Sequence, residues 1–151
     1  MKFIEEITRK EDIQIRPGAS AIVSNENDEI LLEKRKDCNL WGIPGGRIEP
    51  GESITEGCKR EFLEETGLEI EITGIVGVYS GPEKGFPLRE YPDALVQVID
   101  IVLRGRRLSG ALTVSTESHS LNYFSRSNLP AMVPNTEVIL ENYFDNTVGV
   151  V

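Results

Sequence analysis

Three carboxylates lie close together in one short segment of the chain, at Glu61, Glu64 and Glu65. On a helix, Glu61 and Glu65 would stand one turn apart, where like charges repel, and Glu64 and Glu65 would crowd the negative end of the helix dipole. Each arrangement costs a few tenths of a kcal/mol or somewhat more, so a positive partner is expected among them. Clustered carboxylate oxygens suit a hard cation such as Mg²⁺, which proteins usually share with the phosphates of a substrate.

The segment that carries these acids has the start and stop signals of a helix. It opens with a loop of glycine and proline over residues 46–51. Ser53 can accept a hydrogen bond from a first-turn amide, Glu56 completes a capping box, and Gly67 supplies the left-handed residue that ends a helix. The sequence therefore predicts one helix between Ser53 and Gly67 that positions all three acids.

Two of the acids fall on the apolar side of this helix. At about 100° per residue from Ile54, Cys58 and Phe62 fall at about 40° and 80° and mark the apolar side. Glu61 and Glu65 fall at about 340° and 20°, inside the same sector. The alternative interpretation is a charged surface helix, whose acids would lie opposite the apolar stripe. The wheel favours carboxylates that face the protein.

These residues resemble the Nudix box, the signature of the Nudix hydrolases. The matching positions are Gly46, Glu52, Arg60, Glu61, Phe62, Glu64, Glu65, Gly67 and Leu68. The signature covers residues 46–68, and flanking similarity extends over most of the chain. The resemblance implies an α/β fold, the Nudix-type α/β/α sandwich with a mixed β-sheet between helices. It also implies Mg²⁺-dependent hydrolysis of the pyrophosphate bond in a nucleoside diphosphate linked to another moiety.

The resemblance assigns roles to residues inside and outside the box. The expected ligands of one to three Mg²⁺ ions, or of Mn²⁺ as a substitute, are the Gly46 carbonyl and the carboxylates of Glu61, Glu64 and Glu65. Glu52 and Arg60 are expected to form a buried pair that fixes the loop against the helix. Relatives often carry a glutamate in a loop like that of Glu117, so Glu117 or a box carboxylate would accept the proton from the attacking water.

A basic cluster at residues 34–36 supplies one further candidate. Arg35 either lies at a solvated strand end or contacts a substrate phosphate, which a guanidinium can grip with two hydrogen bonds. Relatives commonly have an arginine here, which favours the second interpretation. His119 is expected to be a surface residue, because the resemblance requires no histidine.

Composition limits the classes of partner. The chain has 151 residues and a net charge of −9, so we expect a single domain over residues 1–151 that repels a nucleic-acid duplex. No apolar run could span a bilayer and the N-terminus lacks a signal-peptide pattern, so no membrane partner and a cytoplasmic location are expected. Two-fold association is common in relatives, and the apolar tail 147–151 is a candidate homodimer interface.

The remaining pattern predicts mostly strands. Residues 18–23 and 30–35 are expected to pair as a hairpin, residues 68–72 and 75–79 to form another strand, and residues 94–103 to form a central strand that ends in a turn at 104–107. The long loop over residues 80–92 is either a substrate lid, with contacts at Phe86, Arg89 and Tyr91, or a surface excursion. The predicted last helix begins at Asn135 or Thr136 and buries the side formed by Ile139, Leu140, Tyr143 and Phe144.

The sequence leaves the substrate and two other function classes open. A nucleoside triphosphate, ADP-ribose or a nucleotide sugar is equally compatible with the resemblance. A non-catalytic nucleotide-sensing module on the same fold is one alternative, and a plain divalent-cation binder is another. The intact acidic set argues against a sensor, which need not retain a destabilising cluster of carboxylates.

Overall fold

The computed structural model describes residues 1–7 and 9–151, which form ten strands and two α-helices. Two long strands, β2 (Ile13–Val23) and β8 (Ala94–Gly110), run side by side through the centre of the molecule. In chain order the elements are β1 (Lys2–Ile4), β2 (Ile13–Val23), β3 (Ile30–Arg35), β4 (Trp41–Gly42), β5 (Gly45–Arg47), α1 (Ile54–Thr66), β6 (Leu68–Tyr79), β7 (Leu88–Tyr91), β8 (Ala94–Gly110), β9 (Ser118–Phe124), α2 (Thr136–Phe144) and β10 (Gly149–Val150).

Strand β8 organises the larger, mixed sheet. It pairs in parallel with β2 on one side and antiparallel with β7 and β6 on the other. Strand β1 extends this sheet beyond β7, β5 extends it beyond β2, and β10 pairs in parallel with β6. A smaller sheet has the order β4-β3-β9.

Two hydrophobic cores cover the two faces of the larger sheet. Because side chains alternate along a strand, Ala21 and Ile22 of β2 point into different cores. Ala21 packs with Cys58 and Phe62 of α1, whereas Ile22 packs with Ile139 of α2. Each helix therefore covers one face of the sheet, and the predicted α/β/α arrangement is confirmed.

Two predictions about strand pairing are wrong. Residues 18–23 and 30–35 do not form a hairpin, because β2 has both edges occupied by β8 and β5, and β3 belongs to the smaller sheet. Ser24, which follows β2, forms an isolated antiparallel bridge with Ile30 of β3. The expected turn at 104–107 is also absent, because β8 continues through it to Gly110. Arg106 lies opposite Glu71 of β6 and forms an ion pair with it at 2.6 Å.

The segment 80–92 is more ordered than a loop. It contains a short 3-10 turn at Pro82–Lys84 and strand β7, which lies between β1 and β8. Phe86 packs against Tyr79 with ring centroids 5.3 Å apart. The tail proposed as a dimer interface also pairs within the chain, through β10. Neither helix of the described residues is long and apolar enough to span a bilayer.

Candidate active site

Helix α1 begins and ends as the sequence predicts. The Ser53 Oγ accepts a hydrogen bond from the Glu56 amide at 3.2 Å, and the Glu56 carboxylate accepts one from the Ser53 amide at 2.8 Å. Gly67 has φ of 77°, a left-handed conformation that favours glycine. The apolar side differs from the wheel at one residue, because Ile54 in the first turn is 42% exposed.

A cleft of about 850 Å³ opens beside α1. It is bounded by β2, β5 and β8 of the larger sheet, the end of β3, helix α1 and the loop before β9. Of the residues singled out in the sequence, those that line the cleft are Arg35, Gly46, Glu61, Glu65, Arg89, Tyr91 and Glu117. Glu64 is not among the lining residues, and neither is His119, which is exposed on β9.

Arg60 connects helix α1 to the loop that precedes it. Its guanidinium donates to Glu52 through Nε at 2.5 Å and Nη2 at 3.0 Å, and Nη2 also donates to the Arg47 carbonyl at 3.0 Å. Glu52 in turn accepts the Glu49 amide at 2.9 Å. The expected pair between Glu52 and Arg60 therefore forms, and it is half-buried rather than buried. Hydrogen bonding to Arg60 lowers the pKa of Glu52.

The same arginine contacts two of the three clustered acids on helix α1, Glu61 and Glu64. Its Nη1 donates to Glu61 at 2.9 Å and contacts Glu64 at 3.3 Å. Glu61 lies on the cleft side of Arg60, whereas the side chain of Glu64 is 58% exposed on the outer side. Burial raises the pKa of Glu61, and the hydrogen bond from Arg60 opposes that shift.

The backbone of Gly46 packs directly against the Glu61 carboxylate. A side chain at residue 46 would collide with the carboxylate of Glu61, and a side chain at residue 18 would lie 3.1 Å from the Gly46 carbonyl oxygen. Strand β5 pairs here with β2, Gly46 opposite Ala19. The two glycines therefore leave a carbonyl and a carboxylate next to each other at the cleft wall.

Glu65 lies near two other carboxylates. It is 7% exposed, it shares the Ser118 hydroxyl with Glu33, and Glu33 and Glu117 both influence its pKa. Burial, followed by the proximity of Glu33, raises the pKa of Glu65 to about 7. Contact with Glu65 raises the pKa of Glu117. Two hydroxyls reach this group, because Ser118 donates to Glu33 at 2.7 Å and Ser115 donates to Glu65 at 3.2 Å.

Sequence reasoning missed Glu33 and Asp100. Glu33 is 3% exposed and lines the cleft from β3. The available signal was a carboxylate directly after three apolar residues of a predicted strand. Asp100 interrupts the apolar run of β8 in the same way, and its Oδ1 accepts a hydrogen bond from Ser20 Oγ at 3.0 Å. Burial raises the pKa of Asp100, while the nearby Arg89 opposes that shift.

The basic cluster is held in place by its own neighbours. Asp37 accepts two hydrogen bonds from Arg35, from Nε at 2.9 Å and Nη2 at 2.7 Å. The Lys36 amide donates to the Glu117 carbonyl at 3.0 Å, and Lys36 Nζ donates to the Thr116 carbonyl at 2.9 Å. The end of β3 therefore presents a fixed guanidinium to the cleft and anchors the loop that carries Glu117.

The donor set of the cleft wall fits a hard divalent cation. Its ligating atoms are all oxygens, from the Gly46 carbonyl and the carboxylates of Glu61 and Glu65, and the mutual repulsion of the acids is what a dication offsets. The acids are not assembled in advance. Among residues 1–7 and 9–151, no group of three or more His, Cys, Asp or Glu side chains is arranged to hold a metal ion. When a cation binds, it would replace the contact between Glu64 and Arg60 and a proton on Glu65.

The sequence matches the NUDIX domain over residues 14–143. The chain belongs to the Nudix family. It is 40% identical over 119 residues to a putative 8-oxo-dGTP diphosphatase of Bacillus subtilis strain 168, a match that covers 78% of this chain and 72% of that protein. It is 29% identical over 152 residues to an ADP-ribose pyrophosphatase of Methanocaldococcus jannaschii, covering 94% and 85% of the two chains.

Solved structures of Nudix proteins share the fold. An ADP-ribose pyrophosphatase from Streptococcus suis superimposes with a TM-score of 0.71 at 22% identity, over 90% of this chain and 98% of that one. At this identity the likeness shows the fold alone. The family and its diphosphatase and pyrophosphatase relatives identify the protein as a hydrolase of pyrophosphate bonds.

Proposed function

We propose that this Nudix protein hydrolyses the pyrophosphate bond of a nucleoside diphosphate linked to another moiety, with Mg²⁺ as cofactor. One observation carries the proposal: Gly46, Glu61 and Glu65 line one wall of the 850 Å³ cleft, together with Glu33 and Glu117. A pyrophosphate is polyanionic, so it would bind beside this acidic wall only together with divalent ions. The named substrates of the two relatives, 8-oxo-dGTP and ADP-ribose, both contain such a bond and support this class.

The metal ligands in this proposal are the Gly46 carbonyl, Glu61 and Glu65, with Glu64 as a further ligand on family resemblance. When bound, Mg²⁺ supplies charge stabilisation to the phosphoryl oxygens and favours ionisation of the attacking water. Glu64 must first leave Arg60, which it contacts at 3.3 Å. Arg60 keeps Glu61 oriented toward the cleft and, through Glu52, holds the loop that ends at the helix.

A carboxylate with a raised pKa serves as the proton acceptor. Glu117 and Glu65 both have raised pKa values, and both line the cleft. Glu117 is the better candidate for general base, because Glu65 is buried and is assigned to the metal. The anchoring of residues 116 and 117 by Lys36 would hold Glu117 in position during proton transfer.

The cleft adjoins an apolar region whose chemistry suits the base of a nucleoside. A smaller cavity of about 70 Å³ adjoins the cleft, and both are lined by Arg35, Ile43, Arg89, Val98 and Asp100. Its remaining lining is largely apolar and aromatic: Phe3, Gly42, Tyr79, Phe86, Pro87, Val133, Pro134, Thr136 and Ile139. Apolar walls with a few polar groups are typical of small-molecule sites. Arg35 lies between the two regions, where it would contact a phosphate.

Turnover on a panel of substrates tests the proposal. The panel contains nucleoside triphosphates, ADP-ribose and nucleotide sugars, incubated with Mg²⁺ or Mn²⁺ and then with EDTA. We expect release of a nucleoside monophosphate from at least one class, and loss of that release in EDTA. Binding without turnover on the whole panel would instead support the sensing module, and metal binding without nucleotide binding would support the plain cation binder.

A further inference from the structure

Asp100 is a carboxylate in a row of apolar side chains on the floor of the cleft. Along β8, Val96, Val98 and Asp100 point to the same side of the strand and line the cleft. Val98 and Asp100 also line the smaller cavity. Asp100 therefore stands at the junction of the two spaces, where a ligand that fills both would pass over it.

The carboxylate of Asp100 retains free acceptor sites. Within the described ranges 1–7 and 9–151, the Ser20 hydroxyl is its one hydrogen-bond donor, and no Lys or Arg pairs with it within 4.0 Å. Arg89 and Arg35 lie near it, and their charges oppose the rise in its pKa that burial causes. Every fully buried side-chain oxygen of the described residues has a hydrogen-bond partner. Because Asp100 Oδ2 has none among these residues, it is not fully buried and is open to the cavity. An ionised carboxylate has about four acceptor sites, so Asp100 retains acceptor sites for a ligand.

Asp100 lies two strands away from Gly46 in the larger sheet. Gly46 lies opposite Ala19 on β2, and Ala19 lies opposite Ile101 on β8. Two strand spacings of about 4.8 Å each separate Gly46 from Ile101, so the backbone of Asp100 lies about 10 Å from that of Gly46. A nucleoside attached to a diphosphate at the acidic wall would extend over that span.

We propose that Asp100 selects the base of the substrate by accepting hydrogen bonds from an exocyclic amino group. The inference rests on the proposed function and narrows its substrates to nucleotides whose base carries an amine. A carboxylate repels a second phosphate, and the apolar walls at Val98, Tyr79 and Phe86 favour a flat base over a sugar surrounded by hydroxyls. A base without the amine would leave the buried acceptor unpaired, which is costly.

Binding of nucleoside monophosphates to the unmodified protein is the first test. GMP and IMP differ by the 2-amino group, and AMP and purine riboside monophosphate differ by the 6-amino group. Calorimetry with Mg²⁺ should show a preference of about tenfold or more for the amino member of at least one pair. Equal affinities within both pairs would overturn the inference.

Two variants assign the preference to the residue. Asp100→Asn keeps one acceptor oxygen and should reduce the preference, whereas Asp100→Val removes both oxygens at similar volume and should abolish it. Glu90→Gln is the matched control, because Glu90 is exposed on β7 beside Arg89 and its loss changes the charge equally. A preference for the amino member that survives Asp100→Val in folded protein contradicts the assignment. If the variants do not fold, the binding of the two analogue pairs to the unmodified protein decides whether the inference holds.

The binding readout separates this inference from the proposed function. Amino-dependent binding without turnover on any substrate would count against the hydrolase proposal alone. Turnover on nucleotides with and without the amine at equal kcat/KM would count against the role of Asp100 alone.

Discussion

The Ser118 hydroxyl connects the carboxylates of Glu33 and Glu65, which it contacts at 2.7 Å and 3.4 Å. Glu33 is on β3 of the smaller sheet and Glu65 is on α1, so tertiary packing brings the two acids together. Both side chains are at least nine-tenths buried. In metal-free protein this pair destabilises the fold whenever both groups are ionised.

Removal of the Glu65 charge should therefore stabilise the metal-free protein, in a pH-dependent way. The pKa of Glu65 rises from 4.5 to about 7 on folding, so its ionisation opposes folding. The contribution of this group is most favourable below pH 4.5, declines as the pH rises to about 7, and is constant above. Glu65→Gln should gain about 1 to 3 kcal/mol of unfolding free energy at pH 8 and little at pH 4.5.

Urea unfolding in EDTA at the two pH values measures this difference. Glu90→Gln serves as the control for loss of one negative charge and should show no comparable change with pH. A Glu65→Gln variant that is less stable than the parent at pH 8 would show that the buried acid is compensated in some other way.

Glu64→Gln should differ from Glu65→Gln in its effect on stability and resemble it in its effect on turnover. The Glu64 side chain is 58% exposed and its contact with Arg60 is long, so its removal should change the unfolding free energy by no more than about 0.5 kcal/mol. Both variants should lose most of the activity, because both carboxylates are assigned to the metal. Full turnover of Glu64→Gln would remove Glu64 from the ligand set and leave Glu61 and Glu65.

Arg60→Gln should destabilise the fold and weaken metal binding together. The substitution removes a bidentate pair with Glu52 and a bond to the Arg47 carbonyl, and it leaves Glu61 without its partner. We expect a loss of about 1 to 3 kcal/mol of unfolding free energy and weaker Mn²⁺ binding in a spin-resonance titration. Arg106→Gln is the control, because Arg106 forms an exposed pair with Glu71. Equal losses in both variants would contradict the positioning role.

Arg35→Lys should raise KM with little change in stability. A lysine keeps the charge and loses the planar fork that Asp37 holds in place at 2.7 and 2.9 Å. If Arg35 contacts a substrate phosphate, KM should rise about tenfold. Lys34→Gln, on the same strand but outside the cleft, should leave KM unchanged. An unchanged KM in Arg35→Lys would support the alternative that Arg35 lies at a solvated strand end.

Local sequence signals were sufficient for helix α1 and insufficient for its partners. Ser53, Glu56 and Gly67 act on their own backbone neighbourhood, so the helix limits could be predicted from chemistry within a few residues. Glu33 and Asp100 could not be assigned in this way, because each becomes a site residue only through strands distant in the chain.

Strand pairing failed for the same physical reason. The pattern of β2 and β3 is that of a hairpin, but the long β8 offers β2 a parallel partner over residues 13–23. At residues 104–107, Gly and Arg indicated a turn, whereas pairing of Arg106 with Glu71 lets the strand continue. Such outcomes depend on which non-local partner is available, and a single sequence does not encode that choice locally.

The most direct test of the metal assignment is anomalous scattering from crystals that contain Mn²⁺ and a non-hydrolysable analogue of a nucleoside diphosphate derivative. We predict a manganese peak at coordination distance, about 2.2 Å, from the carboxylates of Glu61 and Glu65 and the carbonyl oxygen of Gly46, with the diphosphate bound to the same ion. A bound analogue with its diphosphate in the cleft but no manganese at these three groups would contradict the account.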